Sequence, residues 1–190
     1  MSGPDQLHEE IIRLKEKLND MFVQHYWESE IFTPVWWISI ALAIIPIIIW
    51  WKIVDKKRLL EMSVFGLLVN VVATFLDIGL SDHMMWEYPV RILPQMALLL
   101  PVDYVIVPVA GTILYQKFPK WWNFLVACTV TSAFMSFVCE PIAVYIGMYR
   151  LLTWRYIYSF PIYIAIYVII KLITEKAVAI TYFERKRARD

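Results

Sequence analysis

The chain has 190 residues, of which 60% are hydrophobic and only 18% charged, with a formal net charge of +1. Soluble domains carry roughly 45–50% apolar and 25% charged residues, so this composition excludes an ordinary soluble domain and points to an integral membrane protein. The near-balanced charge excludes electrostatic binding of nucleic acid, and five spans of about 20 residues would use over half the chain, leaving room for one bundle and no separate globular domain.

Residues 1–31 form a charged segment in which Leu7, Ile11, Leu14, Leu18 and Met21 recur at spacings of four and three. That spacing predicts an amphipathic helix over about residues 5–25, lying on the bilayer or on the protein's own surface, or else pairing as a zipper that would make the chain a homo-oligomer. No continuous apolar core of a signal peptide occurs there, so the first span is expected to serve as the targeting signal. That span runs over about 32–51, bracketed by Trp36-Trp37 and Trp50-Trp51-Lys52 as an aromatic belt would be, and Pro46 is expected to kink it. Further spans are predicted over about 62–80, 93–115, 121–147 and 156–176. The fourth is long for one straight crossing, and Pro141 predicts a break in it. The expected fold is thus all-α: a polytopic membrane bundle of about five transmembrane helices over 32–177, preceded by the N-terminal amphipathic helix and followed by a basic tail at 178–190. Lys171 is expected to snorkel to the interface.

Lys and Arg counts set the expected orientation. Arg13, Lys15, Lys17, Arg91, Arg150 and Arg155 fall on one side; Lys52, Lys56, Lys57, Arg58, Lys117, Lys120, Lys171, Lys176, Arg185, Lys186, Arg187 and Arg189 fall on the other. The positive-inside rule then places the C-terminus in the cytoplasm and the N-terminus outside.

Asp77, Asp103 and Glu140 interrupt stretches that are otherwise apolar enough to cross a bilayer. A carboxylate at mid-membrane costs about 2.5–3.5 kcal/mol on insertion scales, so these side chains are expected to face a protein interior. With the orientation above, all three belong to the outer half of the bundle, under the loop Ser81–Pro89. Pro94, Pro101 and Pro108 recur every seven residues along the helix that carries Asp103, each freeing a backbone carbonyl that needs a partner. A weak internal repeat groups the same residues: Asp77 precedes Trp86 by nine as Glu140 precedes Tyr149, and Leu100-Pro-Val-Asp103 parallels Phe160-Pro-Ile-Tyr163. Spans two–three and four–five then read as two copies of one hairpin, with a site at their interface. Alternatives remain for each acid: Asp77 as a polar cap near the headgroups, and Glu140 paired with Arg150 or Arg155.

The run Leu76-Asp77 through Trp86-Glu-Tyr-Pro89, with Leu100-Pro-Val-Asp103, Tyr115-Gln-Lys-Phe-Pro-Lys-Trp121, Glu140-Pro-Ile and Tyr156-Ile-Tyr-Ser-Phe-Pro161-Ile, resembles a family of small multi-pass membrane proteins of spore-forming Gram-positive bacteria. That resemblance implies a plasma-membrane location and supplies no activity. The acid followed by Trp-x-Tyr-Pro, and the Pro-x-acid motif, also distantly resemble the lycopene cyclase domain, a membrane-embedded unit of carotenoid synthesis. That family's motif typically continues with a second acid, where this chain has Pro101-Val-Asp103-Tyr104.

These readings name Asp103, Glu140 and Asp77 as candidate acid groups, and Trp86, Glu87, Tyr88, Tyr104, Tyr145 and Trp154 as candidate ligand-binding residues. An alkene-protonating enzyme needs a carboxylic acid kept neutral by an apolar pocket and aromatic faces toward the carbocation. The expected partners are membrane lipid and a hydrophobic, lipid-like or isoprenoid small molecule. No nucleotide loop, zinc pattern, Gly-x-Ser-x-Gly elbow or Cys/His pair occurs, so no cofactor or metal is expected. The competing readings are a non-catalytic envelope assembly protein using the N-terminal helix, and a small transporter or transporter subunit with the acids as ion sites.

Overall fold

A computed structural model describes residues 3–94 and 99–187. The architecture is all-α, apart from one two-residue antiparallel ribbon. Helix α1 (Pro4–His25) begins with Pro at its first turn, as its missing N–H permits. The predicted seam is on it, but Leu7, Ile11, Leu14, Leu18 and Met21 remain 42–60% exposed. A π-helical turn, Tyr26–Glu30, follows and is packed: Tyr26 and Glu30 are buried. The Tyr26 hydroxyl donates to Ile92 O (2.9 Å), and Glu30 Oε2 accepts from Arg91 N (2.7 Å).

Helix α2 (Pro34–Ile53) is capped by Thr33, whose Oγ1 accepts from Trp36 N at 3.2 Å, and it continues through Pro46. A short 3₁₀ turn capped by Asp55 leads into α3 (Leu59–Asp82). The ribbon strand β1 (Trp86–Glu87) comes next, then a π-helical turn (Val102–Ile106) running into α4 (Val107–Lys117). Helix α5 (Trp121–Phe134), a π-turn (Met135–Cys139) and α6 (Glu140–Tyr145) form one rod; strand β2 (Arg150–Leu151) and α7 (Tyr156–Arg187) complete the chain.

Among the described residues, four helical segments are long and apolar enough to cross a membrane: Pro34–Ile53, Lys56–Asp82, Trp121–Tyr145 and Tyr156–Thr181. The predicted third span is shorter than expected. Among the described residues its helical part runs from Leu100 through the π-turn to the end of α4 at Lys117, roughly 27 Å at 1.5 Å per residue against a hydrocarbon core of about 30 Å. Pro89 and Pro94 lie in the irregular stretch before it, where each proline drives its predecessor out of the helical region; part of the predicted span, 95–98, lies outside the described residues.

The fourth span does not break at Pro141. The π-turn Met135–Cys139 absorbs it: widening the spiral by one residue just before the proline relieves the clash of its ring with the preceding turn. The turn Val102–Ile106 stands in the same relation to Pro108. In π register the carbonyl that Pro108 fails to serve is Asp103 O, and Asn70 Nδ2 on α3 supplies that bond at 3.3 Å. The basic tail begins as a continuation of α7, which meets no Gly or Pro between Pro161 and Arg187.

The hairpins α3–β1–α4 and α5–α6–β2–α7 repeat each other. Glu87 and Arg150, 63 residues apart, face each other in the ribbon. At that same offset, Met84 and Gly147 both take positive φ (57° and 82°). Both helices also close with the same pair of hydrogen bonds, Met85 N to Leu80 O with Met84 N to Ser81 O, and Met148 N to Ala143 O with Gly147 N to Val144 O. Phe65, Val69, Ala73 and Asp77 on α3 match Cys128, Ser132, Ser136 and Glu140 in facing the interior. The main core therefore lies between α3, α4, α5 and α7, with Met62, Phe65, Val69, Val107, Phe124, Cys128 and Tyr167 fully buried.

Lys171 does not snorkel. It is fully buried at the end of the bundle opposite the ribbon, paired with Glu175 (2.9 Å) and within 4.7–5.2 Å of the ring centres of Tyr115, Trp121 and Phe124. Three aromatic faces and a carboxylate together replace the water that an ammonium otherwise requires.

Candidate functional site

At the ribbon end, a cavity of about 150 Å³ opens between the two hairpins. Asp77 and Leu80 reach it from α3, Val102 and Asp103 from the π-turn Val102–Ile106, Cys139, Glu140 and Ala143 from the α5–α6 rod, and Ser159, Ile162 and Tyr163 from α7; Trp86, Tyr88, Tyr149 and Trp154 roof it. The three acids singled out from the sequence thus line one cavity. Among the described lining residues there is no Lys, Arg or His.

Each acid sits in a different hydrogen-bond environment. Asp77 is buried; its Oδ1 accepts from Trp86 Nε1 (3.0 Å) and from the Tyr88 hydroxyl, while Oδ2 is buried with no partner. Burial pushes the Tyr88 hydroxyl well above the ordinary phenol pKa, so it remains a donor. Glu140 accepts from Ser159 Oγ (3.0 Å) and the Tyr163 hydroxyl (3.1 Å), and Trp154 Nε1 donates in turn to Ser159 Oγ (2.9 Å). It pairs with neither Arg150 nor Arg155; Arg150 reaches Glu87 instead. Asp103 has its backbone carbonyl tied to Asn70, but its Oδ2 is buried with no partner. The first hairpin therefore presents two carboxyls, and the second a carboxyl with a phenol and a hydroxyl.

The roof is aromatic. The Trp86 ring meets Trp154 edge-on at 5.0 Å and Tyr149 at 6.0 Å, and Tyr88 stacks on Tyr149 at 5.8 Å. The two-residue ribbon beneath these rings aligns Trp86 with Leu151 and Glu87 with Arg150, which fixes where the loop Ser81–Pro89 closes.

Of the ligand-binding residues proposed from sequence, Trp86, Tyr88 and Trp154 line the cavity; Glu87, Tyr104 and Tyr145 do not. Glu87 forms a surface ion pair with Arg150 at 3.2 Å, because alternate residues of a strand face opposite ways. Tyr104 is 40% exposed, since successive residues of a helical turn point about 100° apart and Asp103 takes the inward direction. Tyr145, at the last turn of α6, is 90% exposed. The hydroxyl-bearing lining residues that sequence reasoning overlooked are Tyr149, Ser159 and Tyr163. The internal repeat carried the signal, since it sets Tyr149 against Trp86 and Tyr163 against Asp103.

Chemically, the arrangement presents carboxyl groups as hydrogen-bond acceptors or proton donors, in a cavity otherwise bounded by hydrocarbon and aromatic faces. The described residues form no cluster of His, Cys, Asp and Glu suited to a metal ion. The chain matches no protein-family model, no curated protein and no solved structure.

Proposed function

We propose that the cavity binds a lipid-like or isoprenoid small molecule, in the outer half of a plasma membrane with the chain's C-terminus in the cytoplasm. The observation that carries this reading is the convergence of Asp77, Asp103 and Glu140 beneath Trp86, Tyr149 and Trp154 with no basic residue among the described lining. Two buried carboxyl oxygens without partners, Asp77 Oδ2 and Asp103 Oδ2, leave hydrogen-bonding capacity for a ligand to use. The distant resemblance to the lycopene cyclase domain supports the same ligand class.

Acid chemistry is compatible with this site. A carboxylic acid transfers its proton to one alkene carbon, forming a C–H bond and leaving a tertiary carbocation and a carboxylate. Loss of a neighbouring C–H proton to a carboxylate restores an alkene, so the isomerisation needs no co-reactant, and the aromatic roof stabilises the cation between the two steps.

Native mass spectrometry of the protein purified in nanodiscs tests the reading. A co-purifying hydrophobic ligand is expected, with occupancy lowered roughly 5–150-fold in Asp103→Asn at unchanged folding, the equivalent of about 1–3 kcal/mol for a buried polar group left mispaired. A ligand-free wild type in every lipid extract tried, or full occupancy in Asp103→Asn, would overturn it. A phosphatase fused next to Asp82 is expected to be active, and one at the C-terminus inactive.

The N-terminal helix favours a second reading as an assembly protein, because its apolar seam is exposed along α1 while the π-turn that follows it is tied to residues 91–92.

A further inference from the structure

A second concavity of about 180 Å³ lies between α3 and α7 and adjoins the cavity. Leu76, Ile162 and Ile166 line both spaces. Beyond them the wall is Val72 on α3 and Ala165 and Ile169 on α7, with no polar side chain. These residues recur at spacings of three and four, so each helix contributes one straight row. From Ile162 to Ile170 the groove follows α7 for roughly 12 Å. Leu76 and Ile169 are 37% and 53% exposed, which places the groove at the outer surface of the bundle, where hydrocarbon surrounds a membrane-spanning segment.

Only the side chains of Leu76, Ile162 and Ile166, which line both spaces, stand between this apolar groove at the bundle surface and the cavity of the three carboxyls, which has no basic side chain among its described lining residues. Resting on the cavity reading above, we infer that the ligand enters sideways from the bilayer between α3 and α7. It is a single-chain amphiphile whose head carries N–H or O–H donors and no negative charge. A groove made of one side-chain row from each of two helices takes one hydrocarbon chain. Its inner end delivers the head to the unpartnered Oδ2 atoms of Asp77 and Asp103. A phosphate or carboxylate head would bury its own charge in a medium of low dielectric, where no Arg or Lys among the described lining compensates it. An amine or a hydroxyl donates to them instead.

The test uses the full chain in phosphatidylcholine nanodiscs and a hexadecylamine bearing a photoactivatable diazirine in its chain. Crosslinks are expected at Val72–Leu76 and Ile162–Ile170, reduced at least tenfold by unlabelled hexadecylamine or hexadecanol and not by hexadecyl phosphate. The amine and the alcohol as separate competitors tell which donor is preferred. Ala165→Trp, at an exposed helix position, is expected to fill the groove and lower crosslinking at least tenfold with the fold unchanged. Equal competition by hexadecyl phosphate would overturn the head chemistry. Competable crosslinks at Trp86 or Trp154 that persist unchanged in Ala165→Trp would overturn the lateral route while leaving the cavity reading standing. Absence of any competable crosslink in the wild type, at groove or cavity, would defeat both.

Discussion

The indole of Trp86 and the phenol ring of Tyr149 meet edge to face with centroids 6.0 Å apart, and they occupy the same position in two copies of one hairpin. Each ring follows a helix that ends in a positive-φ residue, Met84 or Gly147, and each precedes the strand residue that pairs across the ribbon, Glu87 or Arg150. The cavity thus forms at a pseudo-twofold interface, where Asp77 and Glu140 are counterparts and the roof includes a contact between equivalent aromatics. A shared interface site is the common outcome of repeated hairpins in membrane proteins.

The ribbon can be tested by covalent linkage. Residues directly opposite in an antiparallel pair have Cα atoms about 4.5–5.5 Å apart, inside the disulfide range of about 4.4–6.8 Å. Glu87→Cys with Arg150→Cys is therefore expected to crosslink on mild oxidation and to raise stability by about 2–4 kcal/mol. Peptide mapping under non-reducing conditions checks it; pairing of either introduced thiol with Cys139 instead would contradict the register.

Gly111 lets α4 approach α7. A Cβ there would lie 2.6 Å from Tyr167 Cε1 and 3.2 Å from Phe65 Cε1, and Tyr167 is fully buried with its hydroxyl donating to Val107 O at 3.0 Å. Gly111→Ala is expected to destabilise by about 1–3 kcal/mol, as overpacking does. Gly66→Ala, whose Cβ meets only Thr112 Cγ2 at 3.1 Å, is expected to cost less. Thermal melts in nanodiscs rank the two.

The Lys171 clasp binds α7 to α4 and α5. Replacing the ammonium in Lys171→Met removes three cation–π contacts and the pair with Glu175, but Glu175 is 37% exposed and keeps both water and Trp121 Nε1 (3.0 Å). The expected cost is about 1–3 kcal/mol, below that of breaking a fully buried pair. A double-mutant cycle with Glu175→Gln is expected to show coupling of at least about 0.5 kcal/mol; additive effects would mean that the pair is incidental.

Deleting residues 2–24 is expected to leave the melting temperature of the bundle unchanged, because nearly all of α1 lies exposed. Glu30→Ala is expected to lower stability by about 1 kcal/mol, since its carboxylate is buried and caps Arg91 N. A melting loss from the deletion larger than that from Glu30→Ala would mean that the helix packs along its length.

Composition and hydropathy were sufficient to determine an all-α chain with membrane-crossing helices, because burying a backbone in hydrocarbon leaves the helix as the economical way to satisfy every N–H and C=O. The seam of α1 was legible from the helical spacing of its apolar residues, and the inward direction of Asp77, Asp103 and Glu140 because an acid costs too much against lipid. Tertiary structure decided the rest. Whether Pro141 breaks a helix or is absorbed by a π-turn depends on the neighbours packed against that turn, which no local pattern contains. Tyr104 and Tyr145 turn outward while Tyr149 and Tyr163 turn inward, although all four are equally plausible by composition. The direction of each side chain follows from helix phase and from the ribbon register. Lys171 reads as an interfacial cation until Tyr115, Trp121 and Phe124 arrive from two other helices to enclose it. Such convergence is a property of long-range contacts: residues far apart in the chain share one dielectric environment only once the helices have packed.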